Sequence, residues 1–111
     1  MQIKPIDDQL AIGPQITPEE VVELAAQGFR SIISNRPDDE DPDQPSFTEM
    51  ATAARAHGME ARHIPVVPGQ VAQSQAEAFG AALQELPGPT YAFCRSGGRA
   101  DALAKMVGRQ A

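Results

Sequence analysis

The chain has 111 residues, 41% of them hydrophobic and 22% charged, with a net charge of −6 and no tryptophan. That length is one domain, residues 1–111, with a core that must be built mostly from Ala, Val, Ile and Leu. The acidic balance argues against nucleic acid or an anionic membrane as partner, and no run is apolar enough for a signal peptide or a membrane span. One cysteine allows no internal disulfide, which fits a reducing cytoplasm.

Ile3–Ile6 and Leu10–Gly13 read as two short strands with a turn at Asp7-Asp8-Gln9. A helix starts after Thr17, an N-cap followed by Pro18 at the first helical position, with Glu20 completing a capping box. Val21, Val22, Leu24 and Ala25 supply its apolar stripe, and Gly28 ends it. Phe29–Ser34 is β-branched and reads as a buried strand. "NRPDDEDPDQPSF" follows, with prolines at 37, 42 and 45, and can only be a loop. Ser46 caps a second helix over Phe47–His57, which Gly58 stops. Glu60–Val66 is a third core strand, and Val67-Pro68-Gly69-Gln70 turns the chain. A helix over Ala72–Leu86 carries Phe79, Leu83 and Leu86 on one side and is stopped by Pro87-Gly88-Pro89. Thr90–Cys94 is the last strand and Ala100–Gln110 the last helix. Strands alternating with helices predict an α/β fold with a mainly parallel central sheet flanked by helices.

The chemistry gathers in "TYAFCRSGGRADALAKM", residues 90–106, which holds the lone cysteine. Cys94 stands where the last strand hands over to the last helix, at the sheet edge where ligands collect in open α/β folds. Ser96, Gly97 and Gly98 can adopt positive φ and turn successive amides inward as an anion-binding nest. The helix adds its positive end, and Arg95 and Arg99 add permanent charge. Helix N-termini and neighbouring cations favour a cysteine thiolate over the thiol. The expectation is a nucleophilic Cys94 in an anion-binding cradle.

Strand, cysteine, glycine loop, arginine and helix in that order resemble two families, the cysteine phosphatases and the rhodanese sulfurtransferases. The whole chain, over residues 3 to 107, resembles the phosphatase-like domain of the beta-lactamase-hydrolase-like family. The resemblance rests on "IGPQITPEE" (Ile12 to Glu20), "GFRSIISNRPDDE" (Gly28 to Glu40), "IPVVPGQV" (Ile64 to Val71) and "CRSGGRA" (Cys94 to Ala100). It implies a fold like that of the dual-specificity phosphatases. It also implies Cys94 as nucleophile, Arg99 as the anion-binding arginine, and Arg95, Ser96, Gly97 and Gly98 as the cradle. Asn35 and Arg36 are typical of the family. They end a strand on the same rim, where they either contact an anionic substrate and the cysteine loop or simply anchor the long loop.

Three features lean towards sulfur rather than phosphate. Four residues separate Cys94 from Arg99, where cysteine phosphatases usually have five. Ala100 stands where those enzymes usually carry a Ser or Thr that helps the thiolate leave. The loop after Glu60–Val66 has no acid to protonate a leaving alkoxide. Asp38 or Glu40 could substitute, but the acidic run reads more simply as a solvated face. Sulfur transfer to a thiol acceptor needs no such acid. The sequence therefore favours a rhodanese-type sulfurtransferase carrying a persulfide on Cys94. Its partners would be a small sulfane-sulfur donor, an external thiol acceptor and a persulfide dioxygenase of the kind to which such domains are fused. The alternatives are a phosphatase acting through cysteinyl-phosphate and a non-catalytic anion-binding module. His57 and His63 offer no metal-ligand spacing, and neither metal nor cofactor is expected.

Overall fold

The computed structural model describes residues 1–109. Nine elements follow in chain order: β1 (Lys4–Pro5), β2 (Leu10–Gly13), α1 (Pro18–Ala26), β3 (Ser31–Ser34), α2 (Phe47–Ala56), β4 (Glu60–His63), α3 (Gln73–Glu85), β5 (Thr90–Phe93) and α4 (Gly98–Met106). The strands form one sheet in the order β1-β2-β5-β3-β4. β1 is antiparallel to β2, and every other pairing is parallel. The predicted α/β class is therefore the observed one.

Alternation along the strands divides the interior into two layers. Ile32, Tyr91 and Phe93 face α1 and α2, where Val21, Leu24, Met50 and Ala54 meet them. Ile12, Ile33 and Ala92 face α3 and α4, against Phe79, Ala82, Leu103 and Ala104. β2, β3 and β5 are buried throughout because helices cover both faces, which is the condition for a parallel sheet in water.

Helix starts are as their caps foretell. Thr17 and Ser46 each accept from the third amide of their helix, and Glu20 and Glu49 reach back to close both capping boxes. Helix α3 lacks a side-chain cap at Ala72, and Gln75 Oε1 accepts from the Ala72 amide at 2.7 Å instead. Gly28 and Gly58 take the left-handed turn after α1 and α2, with φ of +98° and +75°.

The boundaries differ from expectation at informative places. The strand predicted over Phe29–Ser34 begins at Ser31, because Phe29 still bonds back to Leu24 as part of the helix exit. The strand predicted to Val66 stops at His63, although Ile64 and Val66 still donate to Ser34 and Asn35. The last strand ends at Phe93 rather than Cys94, and α4 begins at Gly98 rather than Ala100. Arg99 and Ala100 thereby enter the first helical turn. The predicted end of that helix, Gln110, lies outside the described residues. Val22, expected on the apolar stripe of α1, faces solvent beside the buried Val21.

Candidate active site

Parallel pairing brings the carboxyl ends of β2, β5, β3 and β4 to one edge of the sheet. Four segments leave that edge: Pro14–Ile16 after β2, Cys94–Gly97 after β5, the loop 35–46 after β3, and Ile64–Ala72 after β4. Every candidate residue from the sequence lies in or directly beside these segments.

Cys94 is 1% exposed, and its Sγ accepts from the Gly97 amide at 3.1 Å. That bond requires Gly97 to turn back on itself, with φ of +97° in the left-handed region. The same residue packs against the exit of β2, where a Cβ at Gly97 would meet the Gly13 carbonyl at 3.2 Å. The Gln15 amide completes the brace by donating to the Arg95 carbonyl at 3.2 Å. Positive φ is confined to Gly97 within the loop, since Gly98 is already helical. Among the described residues, the amides of Arg95, Ser96, Arg99 and Ala100 have no protein acceptor. Unpaired amides at a helix N-terminus form an anion site with the helix dipole behind it. Ala100 is wholly buried, so the accessible unpaired amides are those of Arg95, Ser96 and Arg99. Ser96 turns its hydroxyl to the Gly98 amide at 3.5 Å.

Arg99 stands beside Cys94, at the start of α4. Its Nη1 donates to Glu40 Oε2 at 2.5 Å and to the Val66 carbonyl at 2.7 Å, and its Nη2 donates to Glu40 Oε1 at 3.0 Å. A guanidinium has five N–H donors in a fixed fork. These contacts consume the terminal edge, and among the described residues the Nε–H and the second Nη2–H donate to no protein oxygen; they are on the side of Cys94. The Glu40 carboxylate raises Arg99 further above its ordinary pKa, and the charge of Cys94 adds to this.

Glu40 corrects the reading of the acidic run as a solvated face. Its side chain is only 17% exposed and joins Arg99 to Arg36, whose Nε donates to Oε1 at 2.9 Å. The Arg99 guanidinium holds its carboxyl below the ordinary value of 4.5, with Arg36 assisting and burial opposing. Asp38, Asp39 and Asp43 are the solvated members. Asp38 accepts from the Phe47 amide at 2.8 Å and so caps α2. The two acids named as substitute proton donors are thus engaged elsewhere: Glu40 is held ionised, and Asp38 is turned to the helix.

Asn35 and Arg36 anchor the loop. The Asn35 amide donates to Phe93 at 2.7 Å, and its Nδ2 donates to the Ile64 carbonyl at 2.9 Å. Asn35 therefore ties β3 to the segment after β4, and no bond joins its side chain to the cysteine loop. Arg36 is buried with its fork shared among Glu40, Asp41 and Gln15. His63 donates through Nε2 to the Arg36 carbonyl at 2.8 Å and stacks on Phe47 with ring centroids 4.6 Å apart. It positions the loop and is bonded to no group of the cysteine loop. Asp41, Gln15 and the Val66 carbonyl were not foreseen, and Glu40 was considered only as a substitute acid. Among the described residues no cluster of three or more His, Cys, Asp or Glu could hold a metal ion, and no helix is long and apolar enough to cross a membrane.

The profile of the beta-lactamase hydrolase-like protein, phosphatase-like domain, matches residues 2–110. The chain belongs to this family. A beta-lactamase hydrolase-like protein of Agrobacterium fabrum is 40% identical over 95 residues, covering 86% of this chain and 22% of that one. One from Xylella fastidiosa is 36% identical over 100 residues, covering 90% and 23%. The chain thus spans less than a quarter of these longer relatives. Among solved structures, a Neisseria meningitidis protein described as a "putative phosphatase" superimposes with a TM-score of 0.86 at 32% identity, covering 93% of this chain and 73% of that one. Tk-PTP in its active form superimposes with a TM-score of 0.68 at 20% identity, covering 92% and 68%, which speaks for the fold. The family domain thus has the cysteine-phosphatase fold.

Proposed function

We infer that the protein is a cysteine-nucleophile phosphatase acting through a cysteinyl-phosphate. The unpaired amides of Arg95, Ser96 and Arg99 carry this reading, with the Arg99 guanidinium beside Cys94. They supply donors for the equatorial oxygens of a phosphoryl group, whose charge must be stabilised during transfer. Cys94 Sγ attacks phosphorus, the P–O bond to the leaving group breaks, and water then hydrolyses the thiophosphate to release inorganic phosphate and the thiolate. The family membership and the Neisseria structure support the same chemistry.

The nearby carboxylates restrict the substrates. Glu40 and Asp101 are both held below their ordinary carboxylate values, Glu40 by Arg99 first and Asp101 by Lys105 first. Asp41 is paired with Arg36. With no protonated acid at hand, turnover falls to esters whose leaving group departs as an anion, such as aryl phosphates.

The same observation favours a second reading. Sulfur transfer from a sulfane donor to an external thiol needs no acid, and the four-residue spacing and Ala100 suit it. One experiment separates the two. The native protein and Cys94→Ser are given p-nitrophenyl phosphate with and without vanadate, and separately thiosulfate followed by intact mass. Phosphate release that vanadate blocks and Cys94→Ser abolishes is the expected result. A gain of one sulfur on the native protein alone, with no phosphate release, would overturn it in favour of sulfur transfer. Neither product would leave an anion-binding module.

A further inference from the structure

Arg36 is 4% exposed, an unusual state for a cation on the rim of a site. Its Nη2 donates to Asp41 Oδ2 at 2.6 Å, and the same oxygen lies 3.6 Å from Arg95 Nε. One carboxylate oxygen therefore sits between two guanidinium groups, as an oxyanion of a ligand would. The two sides of this clasp differ. Arg36 is fixed from behind by Glu40 and Gln15. Arg95 is 69% exposed, and Asp41 itself is 42% exposed. A cleft of about 260 Å³ opens beside the clasp, lined by Gln15, Arg36, Asp41, Pro42 and Gln44 among others.

A buried guanidinium stripped of its counter-charge is strongly unfavourable. Glu40 answers the Nε side of Arg36 permanently, and Asp41 answers the Nη2 side when no ligand is present. Exchanging that carboxylate for a ligand oxyanion keeps Arg36 paired throughout. Rotation of the Asp41 side chain suffices, since Gln44 holds the loop backbone through the Asp41 amide and the Pro37 carbonyl. Glu40 is not exchangeable in this way, because it is enclosed and bonded to both Arg36 and Arg99.

We propose that Arg36 and Arg95 form a second oxyanion subsite, occupied at rest by Asp41, and that the substrate is a compact molecule with a second anionic group that displaces it. This rests on the Cys94 loop being the first oxyanion cradle. Arg95 belongs to that loop, so the two subsites adjoin. The substrate class is then a small phosphate ester bearing a neighbouring carboxylate or phosphate, rather than an ester with an apolar tail.

The test compares methylphosphonate, with one anionic group, and phosphonoacetate, with two, by following backbone amide shifts during titration. Phosphonoacetate is expected to bind the native protein roughly threefold more tightly, and Asp41→Asn to widen that ratio to about tenfold or more. Arg95→Ala, at an exposed position, should bring the ratio back to about one. Asp39→Asn removes the same charge from the same loop at an exposed residue that does not line the cleft, and should leave the ratio at its native value. An unchanged ratio in Asp41→Asn, or equal widening in Asp39→Asn, overturns the subsite. If neither ligand moves the amides of Gly97 and Arg99, the cradle itself is overturned, and the two failures are told apart.

Discussion

Two loops leave adjacent parallel strands at the same edge of the sheet and use opposite means. The Cys94–Gly97 loop is short and leaves its hydrogen-bonding capacity unspent, with four amides in and beside it free of acceptors among the described residues. Loop 35–46 is long and spends nearly everything it has: Asp38 on α2, Glu40 on two arginines, Asp41 on Arg36, and Gln44 on its own backbone. Receptiveness to an anion comes from withheld bonds in the first loop. The arginines that serve it are kept in place by bonds completed in the second. A chain of net charge −6 thus presents a local anion site.

The largest effect is expected where the short loop has least freedom. At Gly97 a Cβ would face the Gly13 carbonyl at 3.2 Å with φ of +97°, whereas at Gly98 the nearest atom is Ser96 Oγ at 3.7 Å. Gly97→Ala should displace the amide that holds Cys94 Sγ and lower kcat/KM for an aryl phosphate by roughly 10²-fold. Gly98→Ala should stay within about threefold. Equal losses in the two variants would show that the conformation of Gly97 is not what sets the cradle.

Next in size is the carboxylate on which the long loop turns. Glu40→Gln leaves Arg36 and Arg99 without their shared counter-charge and should cost about 3–5 kcal/mol in urea unfolding at neutral pH. The pH dependence has a definite sign. Arg99 and Arg36 depress the carboxyl of Glu40 in the folded state, so its contribution is complete above the ordinary value of 4.5 and is lost as pH falls through the lower folded value. Native stability should therefore fall more steeply than that of Glu40→Gln as pH drops from 4.5 to that lower value, and run parallel to it below. Curves parallel throughout would remove the ion pair from the account of stability.

The same contrast explains what was legible in the sequence. The short loop was readable because its signals are local: a cysteine after a strand, Gly97 where a left-handed turn is needed, Arg99 in the next helical turn. Thr17 and Ser46 announced their helices for the same reason, since a cap and its amide lie three residues apart. The long loop hid its function because the partners of Glu40 are remote, with Arg99 59 positions away. Composition alone made five acids look alike, and only the fold separates Glu40 from the exposed Asp39 and Asp43. Val22 was misplaced because neighbouring helical positions differ by about 100° and only docking on the sheet decides which is buried. Asn35 was placed on the correct rim, but its bond to Ile64 depends on a strand pairing that no local pattern encodes.

The smallest effects concern the far end of the long loop, and they sharpen its assignment. Ser46 Oγ accepts from the Glu49 amide at 3.1 Å, and Asp38 Oδ1 accepts from the Phe47 amide at 2.8 Å. Both bonds fasten the loop to the start of α2, Ser46 at its far end and Asp38 two residues from Arg36 and from Glu40. Ser46→Ala and Asp38→Ala should each cost about 1 kcal/mol, the usual worth of a helix cap. Turnover of an aryl phosphate should stay within about twofold in both, because Glu40 and not the cap holds Arg99. The pair matters as a pair. Equal stability losses with unchanged turnover make Asp38 a cap and nothing more. A loss of turnover in Asp38→Ala alone, growing as the leaving group becomes more basic, would make Asp38 the proton donor that the resting structure has turned away from the site.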